Sequence, residues 1–328
     1  LNSGNANACT GDQGLDNARA MSVQVGQGLG VRNEDVLVCS TGVIGVQLDM
    51  DSVQTGIAGV LTSLREEGGD EAAVAIMTTD TVPKTSALSL EIGEDTVCVG
   101  GIAKGSGMIA PNMATMLGVI TTDANVPPNL LREMLLSAVK RSFNCITVDG
   151  DMSTNDTVIA LANGAVGGAP LEPNTSSAAA LSEAIEVVCR DLARQIARDG
   201  EGATKLVSIE VAGALSEEEA RQVGLSVANS NLVKTAVFGR DPNWGRILCA
   251  MGYAGVPVDP QQVAVYLCGT QIYGAGSGLP FDHRALVDAM SAADIPISID
   301  LASGTARAEI FTCDLSYDYV RINAEYTT

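Results

Sequence analysis

The sequence predicts an α+β fold in which mixed sheets are covered by helices. Three observations carry this. Short apolar runs alternate with segments whose apolar residues recur at helical spacing. Two strand-like runs, "TSALSLEIG" and "DTVCVGGIAKG", flank Gly93-Glu94-Asp95 and read as a hairpin, which argues for antiparallel or mixed pairing. Apolar residues make up 46% of the 328 positions but aromatics only 3%, so a sizeable core is expected, filled by Val, Ile, Leu and Ala.

The elements follow in order. "DVLVCS" (35–40) is expected as a strand. Residues 49–66 are expected as a helix, with Asp49 or Asp51 placed to cap it. "AAVAIMT" (72–78) is expected as a strand, then the hairpin, then "TMLGVITTDA" as another strand. A helix should run from Pro127-Pro128 to about Phe143, followed by strands at "CITVDG" and "DTVIALANG". The Gly/Ala/Pro/Ser-rich stretch 164–179 is the only linker-like one. In 177–199, Leu181, Ile185, Val188, Leu192 and Ile196 form one apolar stripe, and Gly200 marks the stop. Beyond it come a strand at "KLVSIEVAGA", a helix at "SEEEARQVGLSVANS", and a helix capped by Asp241 with Pro242 at its first position. Strands at "VAVYLCG", "ISIDLA" and "ARAEIFTCDLSYDYVRIN", and a helix near 282–292, complete the list.

The net charge of −20 excludes nucleic acid and anionic membrane surfaces as partners. It does not exclude an anionic small substrate, because screening over about 8 Å lets one local cation decide. None of the eight cysteines forms C-x-x-C, and most sit in apolar contexts, as expected of reduced, buried residues in a cytoplasmic protein. No signal peptide and no apolar run of about 18 residues is seen, so no membrane span is expected. The chain opens at Leu1 inside a strand-like segment, and further residues are expected upstream.

The single histidine, His283, lies in a predicted helix as an exposed residue, which leaves little room for a Ser-His-Asp or Cys-His mechanism or a histidine-based metal site. Gly105-Ser106-Gly107-Met108-Ile109-Ala110 matches G-x-G-x-x-A, but Pro111 would break the helix that a dinucleotide site requires, so a loop is expected. Thr115 opens an apolar strand just after this loop. It is either a strand residue or a nucleophile. A threonine hydroxyl needs a base beside it, and cutting the Ala114–Thr115 bond would supply one, the freed α-amine. That amine has a pKa of about 7.7–8.0. Thr41-Gly42, following a strand, is either a glycine turn or a pair of donors for an oxyanion.

Seven segments, "NSGNANACTG" (2–11), "CSTGVIG" (39–45), "MTTDTVPK" (77–84), "GGIAKGSGMIAPNMATML" (100–117), "DGEGATKL" (199–206), "GRDPNWGRI" (239–247) and "YDYVRINAEYTT" (317–328), resemble ornithine acetyltransferase, the self-cleaving glutamate N-acetyltransferase of cyclic arginine biosynthesis. The likeness spans nearly the whole chain in order. It implies a four-layer αββα sandwich of the N-terminal-nucleophile kind and cleavage between Ala114 and Thr115. Residues 1–114 would then be an alpha chain, shortened at its start relative to the family, and 115–328 a beta chain. Both would form one catalytic unit within a heterotetramer of two of each.

By the same resemblance Thr115 is the nucleophile, Thr41 and Gly42 form the oxyanion hole, and Thr78, Lys104, Thr115, Glu201, Asn323 and Thr328 bind substrate. Lys104 could pair with a substrate carboxylate, and Glu201 with the ornithine ammonium. Thr10, Thr79, Asp80 and Asp241 assist or only hold turns, and Trp244 is read as a packing residue. The implied reaction moves acetyl from N2-acetylornithine to glutamate through an ester on Thr115. It needs no metal or organic cofactor, and acetyl-CoA is a second donor if the enzyme is bifunctional. The rivals are an aminopeptidase or amidase of the same fold, with water as acceptor, and a non-enzymatic ligand-binding or assembly homologue that never cuts itself.

Overall fold

A computed structural model describes residues 1–110 and 116–325. In chain order the elements are β1 (Asn2–Asn5), α1 (Gly11–Leu29), β2 (Ser40–Val43), α2 (Met50–Ser63), α3 (Gly69–Ala75), β3 (Lys84–Ile92), β4 (Asp95–Lys104), β5 (Leu117–Thr122), α4 (Pro128–Arg141), β6 (Thr157–Ala162) and α5 (Ser176–Arg198). The remainder comprises β7 (Leu206–Ala214), α6 (Glu217–Ala228), α7 (Asn231–Gly239), α8 (Trp244–Gly252), β8 (Ala264–Leu267), β9 (Thr270–Gly274), β10 (Ser277–Gly278), α9 (His283–Ala289), β11 (Asp294–Asp300), β12 (Ala306–Cys313) and α10 (Tyr317–Glu325).

Three sheets form among the described residues, and the expected mixed pairing is observed. β1 and β2 pair in parallel. A four-stranded sheet runs β3-β4-β5-β6, antiparallel except for the parallel β5–β6 edge. A six-stranded sheet runs β10-β9-β8-β11-β7-β12, with β11 and β7 parallel. The hairpin forms as its sequence requires, with Ile92 opposite Asp95 across a two-residue turn.

The α5 stripe is realised in full. Leu181, Ile185, Val188, Leu192 and Ile196 are all 0% exposed, each contributing about 1.5–3 kcal/mol of burial. Thr175 caps this helix by accepting from the Ala178 N–H (3.2 Å). Gly101 of β4 lies against Val188 and Leu192, so residues of β4 in step with Gly101 face α5. Lys104, three residues on, therefore points from the opposite face, where its Nζ reaches Thr41 of β2. The order across this half of the molecule is α1 and α2, the β1–β2 pair, the four-stranded sheet, then α4 and α5. That is the αββα sandwich of the resemblance.

The C-terminal half adds something the sequence did not announce, a second core. Val207, Ile209 and Val211 of β7, Val223 and Val227 of α6, and Ile295, Ile297 and Ile299 of β11 pack there, separately from the first core. β7 and β12 serve both cores, because Leu206, Phe311 and Cys313 belong to the first.

Several local expectations are corrected. "AAVAIMT" belongs to helix α3 and the turn after it, because an alanine-rich run behind Gly-Asp-Glu favours helix over strand. "DVLVCS" starts in a 3-10 turn at Asp35 and enters a strand only at Ser40. "CITVDG" forms a single bridge, Ile146 to Phe311. The last predicted strand ends at Cys313, and "YDYVRIN" is helical. Asn243, not Asp241, caps α8, accepting from the Arg246 N–H, and Pro242 lies outside that helix. Asp49 does cap α2. Helices α1 and α7 were not foreseen. Cys39, Cys145, Cys189 and Cys313 are buried as expected, but Cys9, Cys98 and Cys249 are exposed. No helix among the described residues is long and apolar enough to cross a membrane.

Candidate active site

Of the expected site residues, Ala114, Thr115 and Thr328 lie outside the described residues. The others converge. Thr41, Gly42, Thr78, Lys104, Glu201 and Asn323 all line one cavity of about 110 Å³, together with Thr79, Asn155, Asp156, Met116 and Leu117. Leu117 begins β5, and Met116 is joined directly to Thr115 in sequence. Two far larger cavities hold none of these residues. One, of about 460 Å³, is lined by the paired charges of α4, α5 and α6. The other, of about 580 Å³, is apolar and lies between α1, α2 and β1.

Lys104 is the cation of the site, 7% exposed in a protein of net charge −20. Burial lowers its pKa, and Asp80 works against that fall. It forms no ion pair among the described residues; its Nζ donates to Thr41 Oγ1 at 3.3 Å. An ammonium can only donate, so the threonine oxygen accepts and its own proton is left free to point elsewhere. Thr41 can therefore donate to a group in the cavity.

Gly42 shows why glycine follows it. Its φ is +129°, and a Cβ there would lie 2.2 Å from the carbonyl carbon of Gly4 on the paired strand. Gly42→Ala should therefore force β1 and β2 apart. The expected cost is about 1–3 kcal/mol in urea unfolding, with loss of activity beyond the loss of fold.

Glu201 is 9% exposed and follows α5 on a turn. Its Oε2 accepts from Asn323 Nδ2 at 2.8 Å, and its N–H donates to Ser106 O at 2.8 Å. A Cβ on Gly107 would meet its carboxylate at 2.3 Å, so the glycine-rich loop is what admits this side chain. That loop is not helical, as Pro111 led us to expect. Its Met108 and Ile109 N–H groups donate to Asp149 at 2.6 and 2.9 Å, and Tyr319 of α10 donates to the same carboxylate at 3.4 Å. Tyr319 lies one helical turn before Asn323, so Asp149 fixes the loop and Asn323 together.

The structure adds residues that sequence reading passed over. Lys84 is fully buried and bridges Asp80 and Asp199, 115 positions away. Asp80 also accepts from the Thr78 and Gly105 N–H groups at 3.0 and 2.7 Å, and Asp199 from the Thr81 N–H at 2.9 Å. This buried triad thereby fastens the three segments that deliver Thr78, Lys104 and Glu201. Burial alone would raise Asp80, but Lys84 and Lys104 outweigh it and hold the carboxyl below the usual carboxylate range. Lys84 stood inside a matched segment, yet nothing local marks a lysine as buried. Asp156 is the other addition. Burial pushes its carboxyl up to about 7, against the Met116 N–H and Lys104, which pull it down.

Other candidates fall away from the cavity. Thr10 Oγ1 donates to Asn7 O and holds the turn before α1. Asp241 accepts from Asn243 Nδ2. Trp244 packs on Tyr273 with ring centroids 5.3 Å apart. His283 stacks on Phe281 at the start of α9.

A family model described as the ArgJ family matches residues 1–328. The chain belongs to the ArgJ family. The arginine biosynthesis bifunctional protein ArgJ of Symbiobacterium thermophilum is 51% identical over 327 residues, covering 100% of this chain and 81% of that protein. Its counterpart in Geobacter sulfurreducens is 46% identical over 329 residues, covering 100% and 84%. Among solved structures, the arginine biosynthesis bifunctional protein argJ of Bacillus halodurans matches with a TM-score of 0.62 and 41% identity, over 63% of this chain and 98% of that one. The mixed sheets and helices described above are thus an ArgJ fold.

Proposed function

We propose that this chain is a glutamate N-acetyltransferase of arginine biosynthesis that works by a ping-pong cycle on a self-made N-terminal threonine. The observation that carries this is the meeting of Lys104, Thr41, Gly42, Thr78, Glu201 and Asn323 in one cavity beside Met116, the residue after the proposed nucleophile. Lys104 and Glu201 offer a cation and a carboxylate to a zwitterionic amino acid. The Thr115 amine takes the proton of its own hydroxyl, which attacks the acetyl carbonyl of N2-acetylornithine. Negative charge develops on the carbonyl oxygen, facing the Thr41 hydroxyl and the Gly42 N–H. Ornithine leaves with the proton, and glutamate's α-amine then takes the acetyl group from the Thr115 ester. Asn323 holds Glu201 in place, and Thr78 and Thr328 complete the contacts to substrate.

The proposed break divides the site. Thr41, Gly42, Thr78 and Lys104 belong to 1–114, and Glu201 and Asn323 to 115–328. β4 and β5 remain paired from Lys104–Leu117 to Val99–Thr122, so the cut leaves the four-stranded sheet whole. The same reading carries a cytoplasmic heterotetramer of two copies of each piece, a cycle without metal or organic cofactor, and acetyl-CoA as a second donor to glutamate.

The test is to incubate the processed protein with N2-acetylornithine, with and without glutamate, and to sequence the N-termini of its pieces. The expected result is one N-terminus at Thr115, and ornithine release that stops at one equivalent unless glutamate is present. Sustained release without glutamate would make the protein a hydrolase instead.

A further inference from the structure

The second half of the cycle poses a problem of protons. Glutamate arrives with its α-amine protonated, and an ammonium is no nucleophile. The chain's single histidine is on α9, away from the cavity. Asp80 is engaged by Lys84 and two backbone N–H groups, and Asp149 by the loop and Tyr319. Glu201 is held by Asn323. Asp156 is different. It lines the cavity and accepts from the Met116 N–H, but its Oδ1 is buried with no hydrogen-bond partner among the described residues.

Its place in the fold is equally specific. Leu117 pairs with Thr157 in parallel register, and the Thr157 N–H donates to Met116 O at 2.9 Å. Asp156 therefore stands beside Met116, one peptide link from Thr115. The neighbouring Asn155 Nδ2 donates to Ala6 O at 2.6 Å, which pins this segment to the end of β1.

We propose that Asp156 is the base that takes the proton from the α-ammonium of the acetyl acceptor in the second half-reaction. This rests on the transferase reading above. The step balances. The carboxylate of Asp156 receives one ammonium proton, and the freed amine bonds to the acetyl carbon. The ester bond to Thr115 Oγ breaks, and that oxygen keeps the second proton from the amine. A carboxyl poised near neutrality suits this task, since it is ionised often enough to accept and basic enough to be effective. The groups that face it are Lys104 from β4 and the Met116 N–H ahead of β5; Lys104 is in turn acted on by Asp80, Lys84 and Glu201.

The experiment separates acylation from discharge. The acetyl-enzyme is formed with N2-acetylornithine, freed of ornithine, and chased with glutamate or with methoxyamine. Methoxyamine stays unprotonated near neutrality and needs no base. Loss of the acetyl adduct is followed by intact mass. In the wild-type protein, discharge by glutamate should rise with pH through an inflection near neutrality, and discharge by methoxyamine should not. In Asp156→Asn the glutamate rate should fall roughly 10²–10⁴-fold and lose that inflection, while methoxyamine discharges nearly as before.

The Asn variant should fold. The native carboxyl binds its proton more tightly folded than unfolded, so it subtracts stability as pH rises from the usual carboxylate range to about 7, and Asn removes that loss. Should Asp156→Asn fail to cut itself, the two wild-type profiles still decide. Discharge by glutamate and methoxyamine with the same pH dependence, or equal slowing of both by Asp156→Asn, overturns the role of Asp156. Absence of any acetyl adduct on the wild-type protein sinks the transferase reading, and this inference with it.

Discussion

Thr115→Ala should leave the polypeptide in one piece and abolish acetyl transfer. Both losses have one origin. In the proposed mechanism the Thr115 hydroxyl of the precursor attacks the Ala114 carbonyl, the peptide becomes an ester, and water releases the first piece. The amine set free would then be the base for the same hydroxyl in catalysis. Its pKa of about 7.7–8.0 matches working pH, whereas a lysine would be mostly protonated. A methyl in place of the hydroxyl removes both nucleophilic events, so a drop of about 10⁴-fold or more is expected, with a single band on a denaturing gel. Thr115→Ser keeps an alcohol beside the amine and should still cut and transfer, more slowly. Both variants should unfold near the wild-type urea midpoint, because the paired β4–β5 ladder begins at Leu117. A Thr115→Ala protein that still splits and still passes acetyl groups to glutamate would end the mechanism.

The parts of this protein that could be read in advance are those whose cause is local. The stripe of α5 repeats at helical spacing within one helix, Asp49 sits just before the turn it caps, and the β3–β4 hairpin carries its own turn. Resemblance supplied Thr78 and Asn323, which composition and spacing would have left as a loop residue and a frayed tail. What escaped depends on distant partners. "AAVAIMT" has the apolar density of a strand, but its alanines lie in the short helix α3 and no strand pairs with them. Lys84 looks like any surface lysine until Asp199 arrives from the end of α5. Asp156 sits in a polar run, "TNDT", and only the fold half-buries it near Lys104. The second core went unseen because its strands are ordinary β-branched runs that do not say which sheet they will join.

Lys84→Met tests whether the buried triad is a structural keystone or mere packing, and pH makes the distinction. Met fills a similar volume but leaves Asp80 and Asp199, 0% and 8% exposed at their side chains, without their cation. Breaking a buried pair in this way costs about 3–5 kcal/mol. Replacing the whole triad by apolar residues would not escape the cost here, since both aspartates also accept from the Thr78, Gly105 and Thr81 N–H groups. In the wild-type protein the Asp80 carboxyl is held below its unfolded value, so it contributes stability above the usual carboxylate range, lost as pH falls through the depressed folded value. Without Lys84 the strongest opposing charge is gone and the folded value rises, so the stability that this carboxyl contributes above the usual carboxylate range shrinks. The urea midpoints of Lys84→Met and wild type should therefore lie far apart at neutral pH and converge as pH falls toward about 4. Activity should fall with them, because Thr78 and Glu201 each sit two residues from an aspartate that has lost its anchor. A deficit that stays constant across pH would mean that Lys84 contributes volume and not charge.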